Sequence, residues 1–304
     1  MITPEFVRCK ICRGTSVYLC DTHNEHSRTA TLHHYRCTEC GVVFVADRVG
    51  QEELAEAYSS LDPAQYYEEI GKQNERKFEA CIKDLSALAP LESRILDLGT
   101  GNGQFVEKLV SRGFKNVSCH EIPGSDLSRV ERLGCGTYRD YDYATIPSET
   151  FDLVTLLDVA EHVPDPQYLF LSCHRVLRRG GKVYLHTPVV TRFDRLMHRV
   201  QKVPVVRKFG QVWQRARTSI FHLQNYTPKA LEALLRGSGF EKVSIRVGNE
   251  LSWPVSSYVK VYLCEKHGVP IALAPIMTLC IYPLVGTNFF NRNKAIAWAE
   301  KAEG

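Results

Sequence analysis

Two groups of residues have types and spacing suited to chemistry. The first is Asp97-Leu98-Gly99-Thr100-Gly101-Asn102-Gly103, which follows a short apolar run and precedes a helical pattern. Glycines let the backbone adopt positive φ and approach a ligand closely, and a helix N-terminus attracts a carboxylate or phosphate. The spacing is G-x-G-x-G, not the G-x-G-x-x-G of dinucleotide sites. Asp97 would repel a pyrophosphate but can accept hydrogen bonds from an ammonium group. The loop therefore predicts a ligand bearing both an amine and a carboxylate. Glu121, at the end of the next strand pattern, is placed to take ribose hydroxyls. Asp142, with Asp140 as the competing candidate, could accept from an adenine amino group. The bland alternative is that these acids are turn and strand-end residues of a generic sheet.

The second group is Cys9-x-x-Cys12 and Cys37-x-x-Cys40, two pairs separated by 24 residues. Four thiolates in two short knuckles fit a tetrahedral zinc site, and a four-thiolate site leaves no open position, so such a zinc would be structural. A redox dithiol fits less well, because neither pair opens a βαβ unit. His23, His26, His33 and His34 are spare candidate ligands. The remaining seven of the eleven cysteines are scattered singly, which argues against a disulfide scaffold.

These groups need elements to hold them. The 304 residues suit one full-sized domain plus a small one. Hydrophobic residues make up 44% and charged residues 24%, which excludes a disordered or fibrous chain; a net charge of +4 is too small to mark a nucleic-acid binder. The boundaries expected are a zinc ribbon over 1–45, a helical linker or lid over 46–90, and a main domain over 91–304. From Arg94 onward, strand patterns alternate with helical patterns of about ten residues, which predicts βαβ units and a largely parallel, doubly wound α/β sheet. Phe78, Ile82, Leu85 and Leu88 give the linker an apolar helical face. The N-terminus carries no secretory pattern, so a reducing cytoplasm is expected.

Asp97-x-Gly99-x-Gly101-x-Gly103, Glu121, Phe151-Asp152-Leu153-Val154, Asp158-Val159-Ala160-Glu161-His162-Val163 and Val176-Leu177-Arg178-Arg179-Gly180-Gly181 together resemble a class I S-adenosylmethionine-dependent methyltransferase. The likeness is good over about 91–190 and weaker over 221–300. It implies a Rossmann-like, seven-stranded sheet whose last strand runs antiparallel. It also implies that Asp97 and the loop from Gly99 through Thr100, Gly101 and Asn102 to Gly103 hold the methionine part and Glu121 the ribose, with Asp158 among the cofactor-binding candidates. A zinc ribbon ahead of this core is similar to those of saccharide-cluster and deoxysugar methyltransferases, although an rRNA guanine methyltransferase family also has an N-terminal zinc module.

The implied acceptor is a saccharide, nucleotide sugar or related small metabolite. The place after the fourth strand lacks an Asn/Asp-Pro-Pro-aromatic turn, which argues against amino methylation of a base. An oxygen or carbon acceptor needs a base. His162, His186 and His222 lie where one could sit, with His222 the first choice; Tyr66, Tyr67 and Tyr226 could close over the site. Between 192 and 217 there are eight Lys or Arg against the single acid Asp194, and Phe193, Leu196, Met197, Val200 and Val203 recur at helical spacing. Between Gly268 and Asn291 there is no charged residue, yet the prolines and short apolar length predict a buried or interfacial segment, not a membrane span. A basic insert over 191–225 and an apolar one over 268–291 could together make a peripheral membrane contact or grip an anionic substrate. Two competing classes remain: an RNA methyltransferase, and a non-catalytic relative that only binds.

Overall fold

The computed structural model describes residues 7–22, 32–47, 49, 63–200, 203–204, 222–251, 254–260, 264 and 270–303. Tyr66 and Tyr67 lie on a described helix, but their side chains, like His23, His26 and the basic residues from 205 to 221, lie outside what is described.

Nine elements build the nucleus of the main sheet and its cover: α1 (Pro63–Leu88), β4 (Arg94–Leu98), α2 (Gln104–Ser111), β5 (Asn116–Glu121), α3 (Ser128–Arg132), β6 (Gly136–Arg139), β7 (Phe151–Leu157), α4 (Pro166–Val176) and β8 (Leu177–Pro188). They continue through α5 (Arg192–Val200), β9 (Gln224–Asn225), α6 (Pro228–Gly237), β10 (Phe240–Gly248), α7 (Val255–Tyr258), α8 (Ala274–Val285) and β11 (Lys294–Lys301). The sheet order is β10-β11-β8-β7-β4-β5-β6, and only β11 runs antiparallel to its neighbours. This is the seven-stranded architecture expected from the sequence. Parallel strands buried on both faces need continuous apolar runs, and β4 and β7 supply them in Ile95, Leu96, Leu98, Leu153, Val154 and Leu156, all buried.

Local signals set the helix ends. Asp165 caps α4 by accepting from the amide of Tyr168 at 3.0 Å, with Pro166 in the first turn. Thr227 caps α6 in the same way, accepting from Ala230 at 3.1 Å. The apolar face of α1 is confirmed: Phe78, Ile82 and Leu85 are buried against Phe105, Val106 and Leu109 of α2. That helix is therefore part of the main core.

The N-terminal segment forms β1 (Ser16–Thr22), β2 (Leu32–Cys37) and β3 (Val43–Val45), an antiparallel set that gains a fourth strand from the main domain. β3 pairs with β9, Val43 opposite Asn225 and Phe44 opposite Gln224. The amide of Val45 donates to Leu223 at 2.9 Å, and the Thr227 hydroxyl donates to the Cys40 carbonyl at 2.5 Å. Cys9, Cys37, Cys40, Val42 and Phe44 belong to the same apolar cluster as Leu231, Leu234 and Leu235 of α6. β3 ends at Val45, and the N-terminal strands share both their sheet and their core with the larger domain.

Candidate functional site

The glycine loop leaves β4 at the carboxyl edge of the sheet, where ligands bind in open α/β folds. Gly99, Gly101 and Gly103 all take positive φ, at 71°, 59° and 79°. A Cβ at Gly99 would sit 2.6 Å from Val159 and one at Gly103 would sit 2.3 Å from Val130. Two of the glycines are thus required by packing as well as by conformation. The contact at Val159 brings the loop after β7 directly against the glycine loop. Gly103 precedes α2 without a side-chain cap, so the first-turn amides beyond that of Gln104 are available to an anionic ligand group.

Beneath the loop, the Asp97 carboxylate is buried and accepts from the Thr155 hydroxyl at 2.6 Å. Burial pushes its pKa up to about 6, against the Thr155 hydrogen bond, which lowers it. Thr155 is a participant that the sequence did not suggest; it faces Asp97 because β4 and β7 pair in register at these two residues. Glu121 ends β5 and accepts from the amides of Gly101 at 2.7 Å and Ile122 at 2.9 Å. Thr100 is buried and Asn102 accepts from Gln104 at 3.4 Å within the loop.

The two adenine candidates have different surroundings. Asp140 accepts from the Tyr143 amide at 2.6 Å and the Thr145 amide at 2.8 Å, and meets His120 at 3.0 Å. Asp142 is exposed, and its side chain accepts from the amide of Ala144 at 3.2 Å. Asp140 holds the turn, which leaves Asp142 with the freer carboxylate.

Asp158 departs from its expected role. Its backbone is left-handed at φ 55°, and its carboxylate is taken by Lys77 at 2.8 Å, Lys294 at 2.6 Å and His186 at 3.0 Å. Burial alone would raise its pKa, but Lys294, His186 and Lys77 together hold it well below the usual carboxylate range. His186 is clamped on its other side by Glu250 at 2.9 Å. Burial disfavours charge on this ring, yet the two flanking carboxylates outweigh it and raise the pKa. His186 thus links Asp158 to Glu250 with both ring nitrogens engaged. Lys77, Lys294 and Glu250 carry no local sequence signal, since they converge from α1, β11 and the loop after β10.

Of the remaining base candidates, His162 and His222 are brought together, their rings 4.9 Å apart and edge to face. Glu161 is fully buried beside them. Tyr226 must be corrected: it is fully buried and its hydroxyl donates to the Ala160 carbonyl at 2.7 Å. A phenol with its ring in the core and its proton committed cannot close over a substrate.

The four predicted cysteines converge. Cys9 and Cys40 lie 3.7 Å apart through sulfur, and Cys12 and Cys37 lie 3.5 Å apart. Sulfurs about 2.3 Å from a tetrahedral metal sit about 3.8 Å from one another. Each knuckle ends on a left-handed residue, Arg13 or Gly41, and the amides of Ile11, Glu39 and Cys40 donate to sulfur at 3.4 Å. The Cys9 thiol is drawn down to about 5, chiefly by its hydrogen bond with Cys40. His33 instead binds Asp47 at 2.8 Å, and neither His33 nor His34 belongs to the cysteine group.

Asp97 gives a pH prediction. A carboxyl whose folded pKa lies near 6, above an unfolded value near 3.8, binds its proton more readily when folded. Its contribution is fully present below pH 3.8 and is lost as pH rises through 6. Asp97→Asn should therefore flatten the stability curve between about pH 4 and 6 by about 2–3 kcal/mol relative to the parent chain. Urea unfolding of both proteins across that range checks this; parallel curves would contradict it.

Comparison with known proteins accords with this geometry. A family model described as a methyltransferase domain matches residues 70–245. The ubiquinone biosynthesis O-methyltransferase of Pseudomonas aeruginosa (strain LESB58) is 35% identical over 103 residues, covering 31% of this chain and 44% of that protein. The same-named protein of Xanthomonas axonopodis pv. citri is 33% identical over 107 residues, covering 33% and 45%. The chain thus spans less than half the length of these curated relatives. Among solved structures, phosphoethanolamine N-methyltransferase 2 of Haemonchus contortus, in complex with S-adenosyl-L-methionine, aligns with a TM-score of 0.56 at 16% identity, covering 86% of this chain and 62% of that one. A SAM-dependent methyltransferase from Archaeoglobus fulgidus aligns at 0.50 with 17% identity, covering 78% and 99%. These two likenesses concern the fold. With the family model matching more than half of its residues, and with the glycine loop and its acids in place, this chain belongs to the methyltransferase-domain family.

Proposed function

We propose that the chain transfers a methyl group from S-adenosylmethionine to an oxygen of a small-molecule acceptor. The observation that carries this is the buried Asp97 beneath a glycine loop that meets an uncapped helix N-terminus, with Glu121 at the next strand end. The ligand's ammonium suits Asp97, its carboxylate the amides at the start of α2, and its ribose Glu121. Asp142 is the adenine-facing acid. The sulfonium supplies an electrophilic methyl group; the protein's part is to hold the acceptor in line with it and exclude water. The relatives named for O-methylation support an oxygen acceptor. The saccharide or nucleotide-sugar acceptor expected from the ribbon is a narrower form of this reading that neither relative's name supports.

The assignment is tested by calorimetry with S-adenosylmethionine. Binding is expected for the parent chain, stronger above pH 6 where Asp97 is ionised, and absent in Asp97→Ala and Gly101→Val. Unchanged affinity in both variants would remove the pocket from this site.

For the cysteines, the proposal is one structural zinc held by Cys9, Cys12, Cys37 and Cys40. The sulfur separations and the amide donors to sulfur support it. Metal analysis of protein purified without chelator should give one zinc per chain, and its removal should loosen the 222–228 segment as well as the ribbon, read by amide exchange. Zinc-free protein with native exchange rates would refute this.

A second reading concerns location. α8 packs Ala274, Met277, Ile281 and Val285 on Val255 of α7 and Val259 just after it, and turns its other face outward. Ile271, Ile276, Leu279 and Phe289 are 61–76% exposed. This corrects the expectation of a buried segment and favours the interfacial one. Among the described residues, no helix is long and apolar enough to cross a membrane. α5 joins the same surface: the Phe193 amide donates to Phe290 at 3.3 Å, and the Arg192 guanidinium lies over the Phe289 ring at 5.5 Å. Phe193 and Met197 face inward, while Arg192, Arg195, Leu196 and Arg199 are exposed. An apolar face rimmed by arginines suits an anionic lipid surface, at about 1 kcal/mol per basic residue. Salt-sensitive co-sedimentation with anionic vesicles, weakened by Arg195→Glu with Arg199→Glu, is expected; equal recovery on neutral and anionic vesicles in both proteins would exclude it.

A further inference from the structure

Glu161 is fully buried, and its two carboxylate oxygens are treated differently. Oε2 accepts from the Thr187 hydroxyl at 2.9 Å, whereas Oε1, equally inaccessible, has no hydrogen-bond partner. A buried carboxylate oxygen left unsatisfied is costly. The nearest cationic candidate, His162 Nε2, is 3.9 Å from Oε1, beyond hydrogen-bond range. His222 stands across the His162 ring, and one ligating atom from each of Glu161, His162 and His222 lies within 4.8 Å of the others.

A carboxylate–imidazole gap of 3.9 Å is too long for a proton to bridge but suits two ligands sharing one ion at about 2.1 Å each. We infer that Glu161, His162 and His222 bind a divalent transition-metal ion. Two imidazoles and one carboxylate leave coordination positions open, so this site, unlike the four-cysteine site, can accept a further ligand. Thr187 orients the carboxylate from behind, as partners of metal ligands commonly do.

The backbone holds the three residues in place. The Gln224 amide donates to the Glu161 carbonyl at 3.1 Å, and its side-chain amide donates to Val163 at 2.9 Å. Leu223 is bonded to Val45 of the ribbon. His222 is therefore fixed to the loop carrying Glu161 and His162 on one side and to β3 on the other. That same loop abuts the glycine loop through Val159 and Gly99.

The role of the ion rests on the proposed methyl transfer. An acceptor hydroxyl on the open position would lose its proton to water more easily. The oxygen lone pair then forms the new bond to the methyl carbon while the carbon–sulfur bond breaks, its electron pair passing to sulfur and leaving S-adenosylhomocysteine. His162 and His222, first read as bases, become ligands of the ion that does this work.

Manganese(II) is a suitable probe, because carboxylate and imidazole accept it while thiolates favour zinc. Titration of the full chain, followed by the electron paramagnetic resonance signal of free manganese, should show one bound ion per chain. His162→Ala and His222→Ala, both at partly exposed positions, should each weaken binding at least tenfold. Thr187→Val should weaken it about 10- to 100-fold by freeing the carboxylate. S-adenosylmethionine affinity, measured on the same samples, should stay unchanged. Manganese affinity that is absent in the parent chain, or identical in the parent and both histidine variants, would overturn the site. Loss of S-adenosylmethionine binding by the parent chain, with manganese binding intact, would instead sink the methyl-transfer reading and leave the ion in place.

Discussion

The short strand Gln224–Asn225 is the constraint on which the arrangement depends. Two residues of strand make bonds in three directions. They pair with β3 of the ribbon, they bond Glu161 and Val163 of the loop after β7, and they lead into the Thr227 cap of α6. Thr227 serves both sides, since its hydroxyl also donates to the Cys40 carbonyl next to the second cysteine knuckle. The fold therefore joins a region rich in thiols to a sheet edge rich in carboxylates through β9. Ribbon order and the placement of His222 become one problem. A small domain with three strands of its own has little core to stabilise it; here it borrows a strand and the apolar side chains of α6.

Three acids stand at the carboxyl edge of the sheet, Asp97 and Glu161 buried and Asp158 partly so, and each is treated by a different means. Asp97 receives one hydroxyl donor and no cation, so burial dominates and its pKa rises. Asp158 receives two lysines and a histidine, so attraction overcomes burial. Glu161 receives one hydroxyl on one oxygen and no hydrogen bond on the other. Burying a charge without a partner is unfavourable. The satisfied acid is the structural one, which ties α1 and β11 to the end of β7. The two undersupplied acids flank the contact between Gly99 and Val159, where a ligand cation or an ion would complete them. Where charge compensation is incomplete, the site can gain most from binding.

Much of this was legible in the chain. Apolar runs, glycines after strands and capping residues located β4, β5, β7, α4, α6 and β11 and fixed the sheet class. The glycine loop and the cysteine knuckles were visible because local backbone geometry demands particular residues at particular spacings. What the sequence did not show depends on register and on distant segments. Thr155 reaches Asp97 only because two parallel strands align in one register. Lys77, Lys294 and Glu250 meet around Asp158 and His186 from segments more than 200 residues apart at the extremes. Tyr226 carries no local signal that separates a site aromatic from a core one; the parallel bridge between Val189 and Tyr226 draws it inward to Ala160. Composition gave β3 no reason to pair with a strand nearly 180 residues later, so the ribbon looked more independent than it is.

The apolar segment raises the same question from the opposite direction. Charge-free sequence with three prolines was read as core or interface, and periodicity could not choose between them. The deciding fact is exposure: Ile276 and Leu279 of α8 are 61% and 76% exposed. α7 and its neighbours cover one face of α8, and the outer face of this largely apolar helix must then meet water or something else. Arg192 over Phe289 and the bond from Phe193 to Phe290 tie this face to a helix whose outward side is basic. Such a pairing is difficult to explain by folding stability, since exposed Leu279 and Ile276 add nothing to a core. The proposed anionic bilayer contact would supply apolar contact and negative charge together. The acceptor in that case reaches the carboxyl edge of the sheet from the lipid side, and the acceptor's chemistry would be set by what a membrane can present.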